Sequence, residues 1–157
     1  MRDNPLRRWP LEYYVELAKK LLDQGYRVSI GGGPTDAWVE PAFANLRDRL
    51  DWKVGTLPLR GTIEFLQEVE LVISHDTGPV HLASFADCPI ITLFGPTSSK
   101  SFGPLRFQNL VMELNPRLPC QPCYDGKDYG ICSKNICLSS ISPEQVFEKA
   151  NSYLQRV

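Results

Sequence analysis

Long apolar runs are absent from the sequence: nowhere does one approach the roughly 18 residues that a membrane-spanning helix requires. An excess of one charge is also absent, because 17 Lys and Arg face 18 Asp and Glu, for a formal net charge of −1. Without a global positive field, binding to nucleic acid or to an acidic membrane surface is not expected. The first residues also lack the apolar core of a secretory leader. These absences predict a cytoplasmic protein with no transmembrane segment and no nucleic-acid partner.

The 157 residues are enough for one complete hydrophobic core and too few for two, so we expect one domain over residues 1–157. Apolar residues at helical spacing predict a helix from Leu11 to Leu22, and Ser-Pro-Glu-Gln at 142–145 predicts a closing helix over 143–155. Further helices are expected at 35–50 (in two pieces, because of Pro41), 62–69 and 78–86. Strands are expected at 26–30, 54–57, 71–74, 89–94 and 109–112. This alternation predicts an α/β fold with a doubly wound parallel sheet, covered by helices on both faces.

The stretch SHDTGPVH, residues 74–81, leads from a predicted strand into a predicted helix. Ligands of such sheets bind beyond the carboxyl ends of the strands. There the first N–H groups of a helix lack internal partners and carry the positive end of its dipole, so Thr77 and Gly78 are candidates to hold a phosphate. His81, about one turn later, is a candidate donor on the same side. The alternative is that Asp76 or Thr77 only caps the helix and that His81 is an ordinary half-buried histidine.

Three other segments are predicted to reach the same edge of the sheet. Gly31-Gly32-Gly33-Pro34 frees the backbone for a ligand, but it fits neither G-x-G-x-x-G nor a phosphate-binding loop with its lysine, and an ordinary turn is the alternative. Arg7 precedes the first helix, where its planar guanidinium could donate two parallel hydrogen bonds to a phosphate. The alternative for Arg7 is a solvated basic residue before a helix. The third segment is the loop from Gly95 to Lys100.

Four of the five cysteines fall within eighteen residues of the chain. They form the pattern C-x2-C-x8-C-x4-C, and a tetrahedral zinc ion accepts four thiolates. The predicted ligands are Cys120, Cys123, Cys132 and Cys137. The alternatives are reduced thiols packed under a loop, or disulfides that form only on oxidation. Because nothing in the sequence places the cysteine-rich loop, residues 118–138, near the sheet edge, the predicted zinc would be structural and not catalytic.

Three segments of the sequence resemble glycosyltransferase family 9, the bacterial heptosyltransferases of lipopolysaccharide core synthesis. The family's C-terminal signature, in which a strand leads into a D-T-G-x-x-H turn and a later F-G-P-T, is similar to SHDTGPVHLASFADCPIITLFGPTSSKSFGP. The segment that opens the same domain is similar to RRWPLEYYVELAKKLL, and the family's cysteine-bearing tail is similar to PCQPCYDGKDYGICSKNICLSSISPEQV. These segments occur in the family's order and cover nearly the whole chain.

The resemblance implies a single Rossmann-like domain that corresponds to the C-terminal half of a GT-B glycosyltransferase and binds the sugar donor. The implied donor is ADP-heptose or a related nucleotide sugar, the implied acceptor is the lipopolysaccharide core, and no metal takes part in catalysis. The donor-binding residues that it implies are Arg7, Gly32, Gly33, Asp76, Thr77, Gly78, His81, Pro96 and Thr97. Of these, Thr77 and Gly78 would lie at the phosphates, and Arg7 stands where the family often has lysine.

Length is the departure from the family, whose members are much longer. The family's N-terminal domain, which binds the acceptor and supplies a carboxylate base, is not among these residues, so the catalytic base is expected outside them. The resemblance therefore implies an incomplete enzyme in the cytoplasm, at the inner face of the inner membrane. The alternative is a non-catalytic nucleotide-binding or assembly module that needs a partner domain. A zinc-dependent module centred on the four cysteines is a third interpretation.

Overall fold

Strands and helices alternate along the chain in the computed structural model, which describes residues 5–124, 126–132 and 134–156. Within these residues the α-helices are α1 (Leu11–Asp23), α2 (Leu59–Gln67), α3 (Gly78–Phe85), α4 (Ser99–Phe102), α5 (Ile136–Ser139) and α6 (Pro143–Leu154). The strands are β1 (Ser29–Ile30), β2 (Asp51–Trp52), β3 (Val72–His75) and β4 (Ile90–Leu93). Shorter or tighter 3₁₀ segments lie at Pro5–Arg7, Pro34–Arg49 and Gln108–Leu110. In the described part of the chain, no helix has the length and apolarity to cross a membrane.

The two long helices α1 and α6 form where the sequence predicts them, and they pack against each other. Gly25 follows α1 with a φ of +89°, a conformation that glycine adopts without strain. Ser142 caps α6, since its Oγ accepts from the N–H of Gln145 while the Gln145 side chain accepts from the N–H of Ser142. Both predicted helices are confirmed, with α6 ending at Leu154.

The strands form two parallel pairs. β1 pairs with β2. β3 pairs with β4 in a longer register, which runs from Val72 opposite Ile90 to His75 opposite Leu93. Leu93 also forms a parallel bridge to Met112. β4 therefore lies between β3 and the segment around Met112.

Helices cover both faces of the β3–β4 pair. On one face Ile73, Ile91 and Leu93 share a core with residues of α1 and α6. On the other face Val72 and Ile90 pack against residues of α2 and α3. This division follows from the two-residue period of a strand, which sends neighbouring side chains to opposite faces. The predicted doubly wound α/β arrangement is confirmed.

The predicted strand at 54–57 is wrong. These residues form a turn, in which Gly55 has a φ of +70° and the N–H of Thr56 donates to the carbonyl of Lys53. β2 lies earlier in the chain. A positive φ cannot continue an extended strand, so Gly55 ends the run that its apolar neighbours suggested.

Two other predicted elements differ in kind. Residues 34–49 form one 3₁₀ helix, Pro34–Arg49, instead of two α-helical pieces. Pro41 lies inside it and cannot donate the backbone hydrogen bond that an α-helix would need there. The last predicted strand, 109–112, contains the end of the 3₁₀ helix Gln108–Leu110 and then the single bridge of Met112. In addition, α2 begins at Leu59 and not at residue 62.

Candidate functional site

The turn from β3 into α3 places the start of a helix at the carboxyl end of a strand. Thr77 is extended, with φ −149° and ψ −178°, and its side chain does not cap α3. Instead, its Oγ1 donates to the carbonyl of His75 at 3.1 Å. Gly78 is exposed, and a Cβ added to it would meet no atom within 4 Å. In the first turn of α3, Pro79 has no N–H and the N–H of Val80 donates to the carbonyl of Thr77 at 3.0 Å, so the donor that the helix start presents is the N–H of Gly78, with free space beside it.

Asp76 is a buried carboxylate in this turn, with 5% of its surface exposed. Its Oδ2 accepts a hydrogen bond from Oγ1 of Thr97 at 2.7 Å and lies 3.2 Å from Nη2 of Arg7. The same Arg7 nitrogen donates to the backbone carbonyl of Asp76. A carboxylate leaves water favourably only when charged and hydrogen-bonding partners replace the water. Asp76 therefore joins the β3–α3 turn to Arg7 and to Thr97, so that three residues predicted from the sequence come together.

Tyr14 and His75 form a partly buried polar pair beside the turn. The hydroxyl of Tyr14 lies 2.8 Å from Nδ1 of His75 and accepts the backbone N–H of His75 at 3.1 Å. Burial, followed by the positive charges of Arg7 and Arg8, lowers the pKa of His75 to about 4. Burial raises the pKa of Tyr14. Both groups are therefore neutral at neutral pH, and the pair ties α1 to the end of β3.

The cysteine-rich loop lies against the loop that follows β4. The N–H groups of Cys123 and Tyr124 both donate to the carbonyl of Pro96, at 2.9 and 3.1 Å. Pro96 is buried and directly precedes Thr97. The structure thus places part of residues 118–138 beside the loop at the sheet edge, a position that no feature of the sequence indicated. Hydrogen bonds between the backbones of two loops leave no pattern in a sequence.

The glycine-rich loop after β1 is held by contacts of its own. The N–H of Gly33 donates to Oδ2 of Asp36 at 2.8 Å. A Cβ added to Gly32 would come within 3.1 Å of the Asp36 side chain. The packing of the Asp36 side chain against Gly32 explains a glycine in this loop without a ligand. The role of Gly32 and Gly33 in a donor site stays a prediction. His81 is exposed on α3, and its role as a donor also stays a prediction.

Comparison with known proteins decides the family. The sequence profile of glycosyltransferase family 9 (heptosyltransferase) matches residues 3–130. The chain belongs to glycosyltransferase family 9. A lipooligosaccharide heptosyltransferase 2 from Haemophilus influenzae is 28% identical over 160 residues, which cover 97% of this chain and 44% of the relative. The resemblance seen in the sequence is confirmed.

Solved structures of family members superpose on nearly the whole chain. The Escherichia coli ADP-heptose LPS heptosyltransferase II matches with a TM-score of 0.79 and 26% identity, over 98% of this chain and 44% of that one. A glycosyl transferase family 9 protein from Veillonella parvula matches with a TM-score of 0.78 and 25% identity, again over 98% and 44%. The chain thus spans less than half the length of these relatives, and it corresponds to a Rossmann-like half of their GT-B fold.

The four clustered cysteines line one cavity of about 140 Å³, whose wall also includes Pro96. All are free thiols, and burial raises the pKa of Cys137 to about 11. Hydrogen bonds from the backbone of Lys134, and then from that of Asn135, lower the pKa of Cys132. Among residues 5–124, 126–132 and 134–156, no three His, Cys, Asp or Glu side chains are grouped closely enough to hold a metal ion. The thiols share a cavity without forming a zinc geometry, and the structural zinc stays a prediction.

Three side chains that the sequence analysis did not single out interact with the predicted site: Tyr14, His75 and Tyr129. Tyr14 occupies one of the apolar positions of α1, and that pattern does not show where its hydroxyl finds a partner. Burial raises the pKa of Tyr129, and the positive charge of Arg7 acts against that rise. For Tyr129 the sequence offers no signal, because it lies far from Arg7 in the chain.

Together these groups form a site suited to an anion. Arg7 supplies a positive charge, the start of α3 supplies the N–H of Gly78 and the positive end of the helix dipole, and neutral His75 adds no charge. Asp76 is negative, but its Oδ2 is already engaged by Arg7 and Thr97. Such a site can hold a phosphate and can stabilise negative charge that develops on a leaving group.

Proposed function

We propose that this chain is the donor-binding part of a heptosyltransferase-like glycosyltransferase, which transfers a sugar from ADP-heptose or a related nucleotide sugar to a lipopolysaccharide-type acceptor. One observation carries the proposal: in a member of glycosyltransferase family 9, Asp76 holds the Arg7 guanidinium beside the first turn of α3. A guanidinium and free helix N–H groups are two devices by which proteins hold phosphates. The diphosphate of the donor would lie between them.

The residues of this site would have different tasks. Arg7, Thr77 and Gly78 would contact the diphosphate. Asp76 would not contact it, because two anions repel each other, and would instead orient Arg7. As the bond to the sugar breaks, negative charge grows on the leaving diphosphate, and prearranged donors stabilise it. The acceptor hydroxyl must also be held in line and deprotonated as it attacks. The groups for that step would lie outside these residues, and catalysis without a metal stays a prediction.

The relatives support this choice of substrates. One of them is an E. coli ADP-heptose LPS heptosyltransferase II, and another is a lipooligosaccharide heptosyltransferase of H. influenzae. This chain covers 44% of each, so the acceptor site and the catalytic base would belong to the other part of such an enzyme. A cytoplasmic location at the inner face of the inner membrane stays a prediction.

Calorimetric titration with ADP tests the proposal in two matched variants, Arg7→Ala and Arg60→Ala. Arg60 is exposed on α2 and pairs with Glu64 at the surface. We expect Arg7→Ala to weaken ADP binding by roughly 1–3 kcal/mol, the scale of a hydrogen bond to a charged group, and Arg60→Ala to leave it unchanged. Thermal unfolding of both variants is recorded as well, because Arg7 also partners buried Asp76.

Equal ADP affinity in the unmodified chain, Arg7→Ala and Thr77→Val would remove both residues from the donor site and contradict the proposal. Slow hydrolysis of ADP-heptose by the chain would favour an enzyme over the alternative, a non-catalytic nucleotide-binding module.

A further inference from the structure

Phe102, Tyr124 and Tyr129 form a cluster of rings that we call the aromatic wall. The ring centroids of Tyr124 and Tyr129 lie 4.7 Å apart with an interplanar angle of 31°, and those of Phe102 and Tyr124 lie 5.9 Å apart at 56°. An antiparallel bridge joins the backbones of the two tyrosines. None of the three side chains is fully buried. The aromatic wall therefore presents ring surface to the outside instead of closing it in a core.

The aromatic wall adjoins the proposed phosphate site. Burial raises the pKa of the Tyr129 hydroxyl, and the positive charge of Arg7 acts against that rise. The N–H of Tyr124 donates to the carbonyl of Pro96 at 3.1 Å, and the next residue, Thr97, belongs to the site. The aromatic wall thus lies beside the loop that follows β4.

A second aromatic surface lies near the glycine-rich loop. The guanidinium carbon of Arg8, the neighbour of Arg7, is 5.0 Å from the ring centroid of Trp38. Trp38 is 51% exposed and belongs to the 3₁₀ helix Pro34–Arg49, which follows Gly31–Gly33. Two aromatic surfaces of different chemistry therefore lie near the site: an indole beside Arg8, and tyrosines with hydroxyl groups beside Pro96.

A nucleotide sugar offers a different partner to each of these surfaces, because its diphosphate lies between a base and a sugar. The base is planar and stacks on a flat aromatic ring. The sugar has apolar C–H faces rimmed by hydroxyl groups, and a tyrosine offers both an apolar ring face and a polar hydroxyl. Trp38 suits the base, and the aromatic wall suits the sugar.

We infer that Tyr129, supported by Tyr124, is a specificity-determining residue that contacts the sugar of the donor and not its nucleotide. The inference rests on the proposed function and names the part of the site that recognises the transferred group. The ring of Tyr129 packs against the sugar, while its hydroxyl stays under the influence of the positive charge of Arg7.

The test compares the affinities of ADP and ADP-heptose for the chain and for two variants. Tyr129→Leu keeps an apolar side chain but removes the ring, so we expect ADP-heptose to lose about five- to tenfold more affinity than ADP. Tyr129→Phe keeps the ring and should hold the ratio of the two affinities within about twofold. The control is Tyr153→Leu, because Tyr153 lies in the last turn of α6 and packs against the core that α1 and α6 share with β4.

An unchanged affinity ratio in Tyr129→Leu overturns the inference, whether both affinities fall together or neither falls, and leaves the proposed function standing. An unmodified chain that binds neither ADP nor ADP-heptose overturns both. Circular dichroism checks the fold of each variant, and if Tyr129→Leu does not fold, Tyr124→Leu replaces it with the same expected change in the ratio.

Discussion

Asp76 is negatively charged at the place where we propose that a diphosphate binds, and its contacts explain how the two are compatible. Its Oδ2 is engaged by Arg7 and Thr97, and only 5% of the residue is exposed. Removing Asp76 would leave Arg7 without the partner that fixes its direction. At the scale of single residues, the site is thus an arginine that is held in place by a buried carboxylate. The sequence pattern D-T-G contains that carboxylate, Asp76, and the proposed phosphate-binding residues Thr77 and Gly78.

His75 predicts a pH dependence of stability. Its pKa is about 4 in the folded chain against an ordinary value of 6.5, so the unfolded chain takes up the proton first as pH falls. The contribution of His75 to stability is therefore complete above its ordinary pKa and is lost as pH falls toward 4. We expect the free energy of unfolding to drop by about 2 kcal/mol between about pH 7 and about pH 5 through this group.

Urea denaturation at several pH values measures this contribution in the chain, in His75→Gln and in His81→Gln. His81 is the other histidine of the sequence and is exposed on α3. His75→Gln should flatten the pH dependence, and His81→Gln should leave it as in the unmodified chain. The same slope in all three proteins would show that the His75 imidazole is not held neutral by the fold.

At the scale of elements, the cysteine-rich loop reaches the site through close packing as well as through hydrogen bonds. A Cβ added to Gly95, at the start of the loop after β4, would lie 2.6 Å from Cγ of Leu138 and 3.0 Å from Sγ of Cys137. The carbonyl of Gly95 also accepts from Nε2 of Gln121 at 2.9 Å. Glycine at this position thus allows residues near both ends of the cysteine-rich loop to pack against the start of the loop that follows β4.

Gly95→Ala is therefore expected to destabilise the chain by about 1–3 kcal/mol, the usual cost of an extra methyl group in a close-packed place. Thermal unfolding measures the change. Gly31→Ala is the matched control, since a Cβ there would meet no atom within 4 Å and its φ is not positive. Equal unfolding temperatures for the two variants would mean that Cys137 and Leu138 do not pack closely against Gly95 as described.

The elements differ in how well the sequence predicts them. α1 and α6 carry local signals, a proline before Leu11 and a capping box at Ser142, and both were predicted. β1 and β2 have two residues each, too few for a pattern of alternation, and the positive φ of Gly55 displaced the predicted strand. In the site, D-T-G and Arg7 were found from local chemistry. The hydrogen bond between Tyr14 and His75 and the effect of the Arg7 charge on Tyr129 join distant parts of the chain, so no local pattern could show them.

At the scale of the whole molecule, the chain has helices on both faces of a parallel strand pair and a site at the carboxyl ends of those strands. It spans 44% of the E. coli heptosyltransferase II that it superposes on. The proposed donor site can be studied within this part, because Arg7, Asp76 and Thr97 hold one another through contacts inside the chain.

The most direct measurement is calorimetric titration of the unmodified chain with ADP and with adenosine, each with and without a metal chelator. Because we propose that Arg7 and the start of α3 bind the diphosphate, we expect ADP to bind at least about tenfold more tightly than adenosine, a difference of about 1.4 kcal/mol. We also expect the chelator to leave ADP binding unchanged. Equal binding of ADP and adenosine, or no binding of ADP, would contradict the claim that these residues form a diphosphate site.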